Sequence, residues 1–306
     1  MELPPRHHSA LFVGEGPLFG PTFNELPDSF EGTLGISVRQ GPAVGVLGLI
    51  QKRGSSALSA LPVLKQSRPV YGNAVEALQV EVLAEYPHDV QAFTQGLLWH
   101  DGHLFESTGL TGRSSLRMVV LETGEVVRRV DLPGSLFGEG LALVEDRLIQ
   151  LTWLAGKALY YDLETFEEFG TSSYLGQGWG LTYGDTFLIM SDGSNQLTFR
   201  DPASFAIWQR VPVTLNGSPV RRLNELEWVD GQVYANIWQE SEIVRINPQS
   251  GEVTAVIDTS ALPYQPQNPA DDSLNGIAYL PERETFLLTG KKWPKIFEVR
   301  FIPTAD

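Results

Sequence analysis

Ten positions in this 306-residue chain recur with a period and bring together residue types able to do chemistry. They form two rows. The first is Gln95, Glu139, Trp179, Asn224 and Asn275, spaced by 44, 40, 45 and 51 residues. The second follows each first-row residue by 13 to 16 positions and reads Gly109, Trp153, Asp192, Trp238 and Lys291. Glu139 carries the most information. It lies in Phe137-Gly138-Glu139-Gly140, where glycines allow close backbone approach and leave room around the carboxyl. With Trp153, Trp179 and Trp238 around it, that carboxyl is desolvated, which disfavours its charged form. An acid tuned in this way gives and takes a proton near neutral pH. A purely structural reading of Glu139 is a hydrogen bond to a neighbouring blade.

The companions each have two readings. Gln95, Asn224 and Asn275 carry amides that donate and accept, so they either bind an amine or amide of a substrate or tie neighbouring strands into a polar ring. Lys291, in Thr289-Gly290-Lys291-Lys292-Trp293-Pro294, neutralises Glu139 or Asp192, or serves as a structural ion-pair partner. Asp192, in Ser191-Asp192-Gly193-Ser194, is either a substrate contact or a turn former. Strand alternation suggests that one of Glu225 and Glu227 faces inward and the other outward.

The elements that position these rows follow from the spacing. A period of roughly 40 to 50 residues is that of four-stranded propeller blades. Between the rows lies a hairpin pattern, as in Leu97 to Phe105 around the two-residue turn Asp101-Gly102. The start of one hairpin strand and the end of its partner lie at the same end, so both rows gather at one mouth of a central channel. Third and fourth strands follow in each unit, for example 116–121 and 125–130. The last unit is one strand short, and an orphan strand at 79–86 supplies it. The expected fold is therefore all-β, a five-bladed propeller whose last blade is completed by an N-terminal strand, leaving no open edge. An open solenoid would leave the orphan strand unexplained.

Bulk properties narrow the function. The net charge of −15 offers no basic field to nucleic acid or anionic lipid. There is no cysteine, and the five histidines show no metal-ligand spacing. No phosphate-binding loop, dinucleotide fingerprint or nucleophile elbow is present, so phosphoryl transfer, hydride transfer and serine hydrolysis lack a seat. No cofactor or metal is expected, and the chain is expected to be a monomer. Residues 1–75 are rich in Pro, Gly and Ser and read as a low-order leader, with 76–306 as the catalytic domain. The apolar run Ala43 to Ile50 is too short to span a bilayer. It is either part of a loosely packed tail or an echo of an export signal, so periplasmic, secreted and cytoplasmic locations all stay open.

At these residues the chain resembles the plant-type glutaminyl cyclases (glutaminyl-peptide cyclotransferases) of plants such as papaya and of bacteria. The stretches that carry the resemblance include Tyr86-Pro87-His88-Asp89, Phe93-Thr94-Gln95-Gly96-Leu97, Phe105-Glu106-Ser107-Thr108-Gly109 and Phe137-Gly138-Glu139-Gly140-Leu141. They continue through Gly178-Trp179-Gly180-Leu181, Leu223-Asn224-Glu225-Leu226, Asn236-Ile237-Trp238, Leu274-Asn275-Gly276-Ile277 and Gly290-Lys291-Lys292-Trp293, covering 79–301. The resemblance implies a five-bladed propeller and a metal-independent reaction. In that reaction the α-amine of an N-terminal glutamine attacks its own side-chain amide, giving pyroglutamate and ammonia. It also implies Glu139 as the proton-transfer residue, with Phe93, Gln95, Trp153, Trp179, Asn224, Trp238 and Lys291 in the pocket. Peptides or proteins with N-terminal glutamine are the implied substrates. Two other readings stand beside it. A calcium-dependent lactonase-type propeller would use a set such as Glu139, Asn224, Asn275 and Asp192. A non-catalytic propeller would hold peptide N-termini without turnover.

Overall fold

Short-range sequence rules account for the hairpins. Asp101 and Gly102 both take positive φ (47° and 77°), as do Asp230 and Gly231 (49° and 79°). These are the mirror-image two-residue turns whose twist matches that of the flanking strands. The computed structural model describes residues 48–51, 58–61, 75–184 and 186–304. Its elements begin with β1 (Gly48–Gln51) and β2 (Leu58–Leu61), which pair antiparallel, and the long strand β3 (Glu76–Pro87). The apolar run and the leader of the sequence reading otherwise lie outside the described residues.

Blade 1 is β4 (Thr94–His100), β5 (His103–Thr108), β6 (Ser115–Val120) and β7 (Glu125–Asp131). Blade 2 is β8 (Gly138–Val144), β9 (Arg147–Thr152), β10 (Lys157–Asp162) and β11 (Glu168–Ser173). Blade 3 is β12 (Leu181–Gly184), β13 (Phe187–Met190), β14 (Gln196–Arg200) and β15 (Ile207–Pro212). A small hairpin, β16 (Thr214–Leu215) with β17 (Ser218–Pro219), precedes blade 4, made of β18 (Leu223–Val229), β19 (Gln232–Ile237), β20 (Glu242–Ile246) and β21 (Val253–Asp258). One helical turn, α1 (Pro269–Asp272), leads into β22 (Leu274–Leu280), β23 (Thr285–Gly290) and β24 (Lys295–Pro303).

Strand β3 completes the fifth blade by pairing antiparallel with β24, from Lys295↔Pro87 to Pro303↔Leu78. Its first residues also pair in parallel with β21, the outer strand of blade 4, from Ala255↔Glu76 to Asp258↔Gln79. Blades 4 and 5 thereby share one eight-stranded sheet. The inner strands contact one another cyclically, β4 with β8, β8 with β12, β12 with β18, β18 with β22 and β22 with β4. Five apolar clusters fill the five blade interfaces. One joins Leu97 and Leu104 of blade 1 to Ala278 and Leu287 of blade 5, which closes the ring. Burial of this kind on both faces of every blade is the main stabilising term of the fold.

A regular irregularity marks the mouth. The inner strands break register at the first-row residues, between Thr94 and Gly96, Gly138 and Leu141, Leu223 and Leu226, and Leu274 and Ile277. In blade 3 the corresponding Trp179 lies just before β12. Bulges re-aim a side chain without breaking the sheet, and here they do so at one end of each inner strand.

Candidate active site

The glycine after each first-row residue sits where inner strands crowd together. A Cβ on Gly96 would lie 2.6 Å from the Leu141 nitrogen, and one on Gly140 would collide with the backbone of Trp179 to Leu181. The Gly140 N–H donates to the Trp179 carbonyl at 2.6 Å. Blade 4 has Glu225 at this place instead of glycine. Its carboxylate accepts the Ile277 N–H at 2.8 Å and the Leu97 N–H at 3.3 Å, and so ties blade 4 to blades 5 and 1. Glu227 accepts the Tyr279 N–H at 2.8 Å. The two acids therefore face the same strand, not opposite sides. Residues two apart share a face of a strand, so the alternation expected above is corrected.

The first-row side chains come together. Asn275 Nδ2 donates to Gln95 Oε1 at 3.0 Å and to the Thr94 carbonyl at 2.9 Å. Gln95 in turn hydrogen-bonds the Glu139 carboxyl. Glu139 is only 3% exposed and Lys291 only 4%. Burial drives the Glu139 pKa well above its ordinary value of 4.5, and the Lys291 charge and the Gln95 hydrogen bond only partly offset this. Burial likewise pulls Lys291 down to about 8, partly countered by Glu139. Glu139 Oε2, Asn224 Oδ1 and Asn275 Oδ1 are buried without a protein hydrogen-bond partner. Such oxygens are costly to leave unpaired, and three of them fall in the first row.

The aromatic residues form a wall beside this row. Phe93 packs edge-on to Phe137 at 6.0 Å, Phe137 meets Trp153 at 5.6 Å, and Trp179 meets Trp238 edge-on at 5.5 Å. Gln177, which the repeat pattern does not single out, links the two halves. Its Oε1 accepts the Trp153 indole N–H at 2.7 Å and the Trp179 indole N–H at 2.9 Å. Trp153 remains 37% exposed, unlike a packing tryptophan. Phe93 has a further task, because Lys291 Nζ lies 4.8 Å from its ring centroid. Gly109 lets Phe137 lie flat against the row, since a Cβ there would collide with the Phe137 ring. Asp192 is exposed, and its Oδ1 accepts the Ser194 N–H at 3.0 Å, the turn-forming geometry.

Chemically, the mouth holds a buried acid whose pKa is raised well above the ordinary 4.5, a lysine close to its titration point, three carboxamides and an indole wall. Among the described residues, no group of three or more His, Asp or Glu side chains is placed to hold a metal ion.

Known proteins share this arrangement of sequence. A family profile described as glutamine cyclotransferase matches residues 55–301, starting upstream of the motifs quoted above. The glutaminyl-peptide cyclotransferase of Arabidopsis thaliana is 40% identical over 227 residues, which cover 72% of this chain and 71% of that protein. The crystal structure of Myxococcus xanthus glutaminyl cyclase superposes with a TM-score of 0.71 at 40% identity, covering 76% of this chain and all of that one. This five-bladed propeller belongs to the glutamine cyclotransferase family.

Proposed function

We propose that the protein converts the N-terminal glutamine of peptides to pyroglutamate with release of ammonia, and that Glu139 carries the proton. The observation that supports this most is Glu139 itself: buried, raised in pKa, and with Oε2 unpartnered next to Gln95. The reaction needs one group that acts twice. The attacking α-amine must lose a proton, and the departing amide nitrogen must gain one. A carboxyl whose pKa has been brought toward that of an amine does both in turn, base first and acid second.

The other residues take the remaining tasks. The free oxygens of Asn224 and Asn275 accept from the α-ammonium or the carboxamide NH2 of the substrate. Cyclisation is intramolecular, so holding the glutamine side chain bent over its own amine supplies much of the rate. As the amide carbonyl turns tetrahedral its oxygen becomes negative, and the Lys291 ammonium or the Gln95 amide faces it. Trp153, Trp179 and Trp238 offer π-faces to a cationic amine and exclude water. Asp192, exposed and engaged in its turn, contributes charge at the rim rather than contact in the pocket.

The test is to incubate the protein with a glutamine-initiated dipeptide, with and without a chelator, and measure ammonia and pyroglutamate together. One ammonia per pyroglutamate, unchanged by the chelator, is the expected result. Binding without release would convert the reading to a peptide-end receptor, and release abolished by the chelator would overturn the metal-independent mechanism.

A further inference from the structure

Tyr86-Pro87-His88-Asp89 spans the end of the ring-closing strand β3 and the start of the link to the first site residues, and the chemistry above gives it no task. His88 is buried, its side chain 3% exposed, and both ring nitrogens face oxygen. Nδ1 lies 2.7 Å from the Trp293 carbonyl, and Nε2 lies 3.0 Å from Glu106 Oε1. A neutral imidazole has one N–H and one lone pair, so it would leave a lone pair against an oxygen in a buried site. Only the imidazolium satisfies both contacts. The surroundings suit that charge. Glu106 also accepts the Thr94 hydroxyl at 2.7 Å and lies 3.9 Å from Arg117, which in turn pairs with Asp89 at 2.7 Å. Thr289 Oγ1, 3.4 Å from Nδ1, is uncharged. Burial alone would lower the His88 pKa, but the charge and hydrogen bond of Glu106, the Trp293 carbonyl and the Asp89 charge together raise it.

The turn that His88 grips is the one that carries Lys291. Lys292 takes φ 60°, a left-handed conformation that a lysine adopts only when its surroundings hold it there. The grip has several points. The His88 N–H donates to the Pro294 carbonyl at 3.0 Å, and the Lys292 N–H donates to the Ala92 carbonyl at 2.6 Å. On the far side the Trp293 indole donates to the Asp272 carbonyl at 2.6 Å. The imidazolium is the one titratable member of this set.

We propose that His88, held as an imidazolium between the Trp293 carbonyl and the Glu106 carboxylate, is the positioning residue that fixes the turn carrying Lys291. Its effect on turnover rests on the cyclisation reading above; its charge state and its hold on the turn do not. Because its pKa is raised on folding, the hold is complete below the ordinary histidine value of 6.5 and is lost as pH rises through the folded value.

The experiment uses the full-length protein and its Glu106→Gln variant. Nitrogen-15 NMR of the histidine rings gives the protonation state and titration midpoint of His88, assigned by the signal missing in His88→Gln or by the shift in E106Q. Hydrogen exchange of the Lys292 amide reports the turn, and ammonia release from a glutamine dipeptide reports turnover. The expected wild-type result is a doubly protonated His88 ring at neutral pH, with a midpoint that falls by about one pH unit or more in E106Q. Between the two midpoints, Lys292 should exchange about tenfold or more faster in E106Q, and the alkaline limb of kcat should move with the NMR midpoint while KM stays nearly constant. A His88 ring with one proton at neutral pH overturns the inference, as does a Lys292 amide whose exchange ignores the His88 midpoint. Absence of ammonia release from the wild type overturns only the cyclisation reading, since the ring and amide signals are read without turnover.

Discussion

Glu139 and Glu225 are both buried acids on inner strands, one residue apart in their places in the repeat, and they do opposite things. Glu225 stands where other units have glycine, and both of its oxygens accept backbone N–H groups of neighbouring blades. Glu139 has one oxygen bonded to nothing in the protein. Both carboxyls are pushed well above the ordinary 4.5 by burial, so the pKa direction does not separate them. Partner count does. A satisfied buried acid is part of the frame, and an unsatisfied one at a channel mouth is available to a substrate.

The comparison can be broken most decisively at Glu139. Glu139→Gln should lower glutamine cyclisation by about 10²–10⁴-fold, the range of a lost general acid–base group, with an unchanged melting temperature. The fold loses little because burial already disfavours the charged form of Glu139, and glutamine is a neutral side chain of the same shape. Lys291→Met should cost about 10²–10³-fold in kcat if its ammonium faces the developing oxyanion, and it should raise the Glu139 pKa further by removing the charge that restrains it.

Glu225→Ala should show the reverse pattern, a stability loss rather than a specific chemical one. Roughly 1–3 kcal/mol is expected for each of the two amides left without an acceptor, read as a lower denaturant midpoint. A Glu225→Ala protein that melts normally yet fails to turn over would erase the distinction drawn here.

The pH dependence of stability sharpens it again. Glu227 is raised to about 8 by burial, so the folded state holds a proton that the unfolded chain releases above 4.5. Its contribution to stability is present at low pH and is lost as pH rises from 4.5 to about 8. Urea midpoints across that window should fall more steeply for wild type than for Glu227→Gln, and parallel curves would contradict the assignment. The smallest effect belongs to the rim. Trp153→Ala should weaken substrate binding by about 0.5–2 kcal/mol, seen as a higher KM, with the fold intact.

Much of this architecture is legible in the sequence because a propeller repeats itself. The two rows, the Asp101-Gly102 turn and the orphan strand before the first unit each follow from local pattern, and β3 does complete the last blade. What escapes is long-range. The parallel pairing of β3 with β21 joins residues far apart in the chain, and no local pattern signals it. Gln177 is missed because it lies in a loop outside the repeat positions, although a polar residue two before Trp179 was the available hint. His88 and Glu106 stand in quoted motifs, but the meeting of His88 with Trp293 depends on the ring closing. The error on Glu225 and Glu227 was one of register, since two positions along a strand return to the same face. For Asp192 both readings were open in the sequence, and only the hydrogen bond to Ser194 favours the turn.

The most direct measurement on the central claim is the infrared titration of the protonated carboxyl band, comparing wild type with Glu139→Gln and Glu225→Gln. The predicted result is a component of that band that persists well above pH 4.5 and shifts when a glutamine peptide binds; it is lost in Glu139→Gln, where the Glu225 and Glu227 components remain, and kept in Glu225→Gln. A Glu139 band that titrates at the ordinary 4.5 and ignores the peptide would contradict the proton-carrier role.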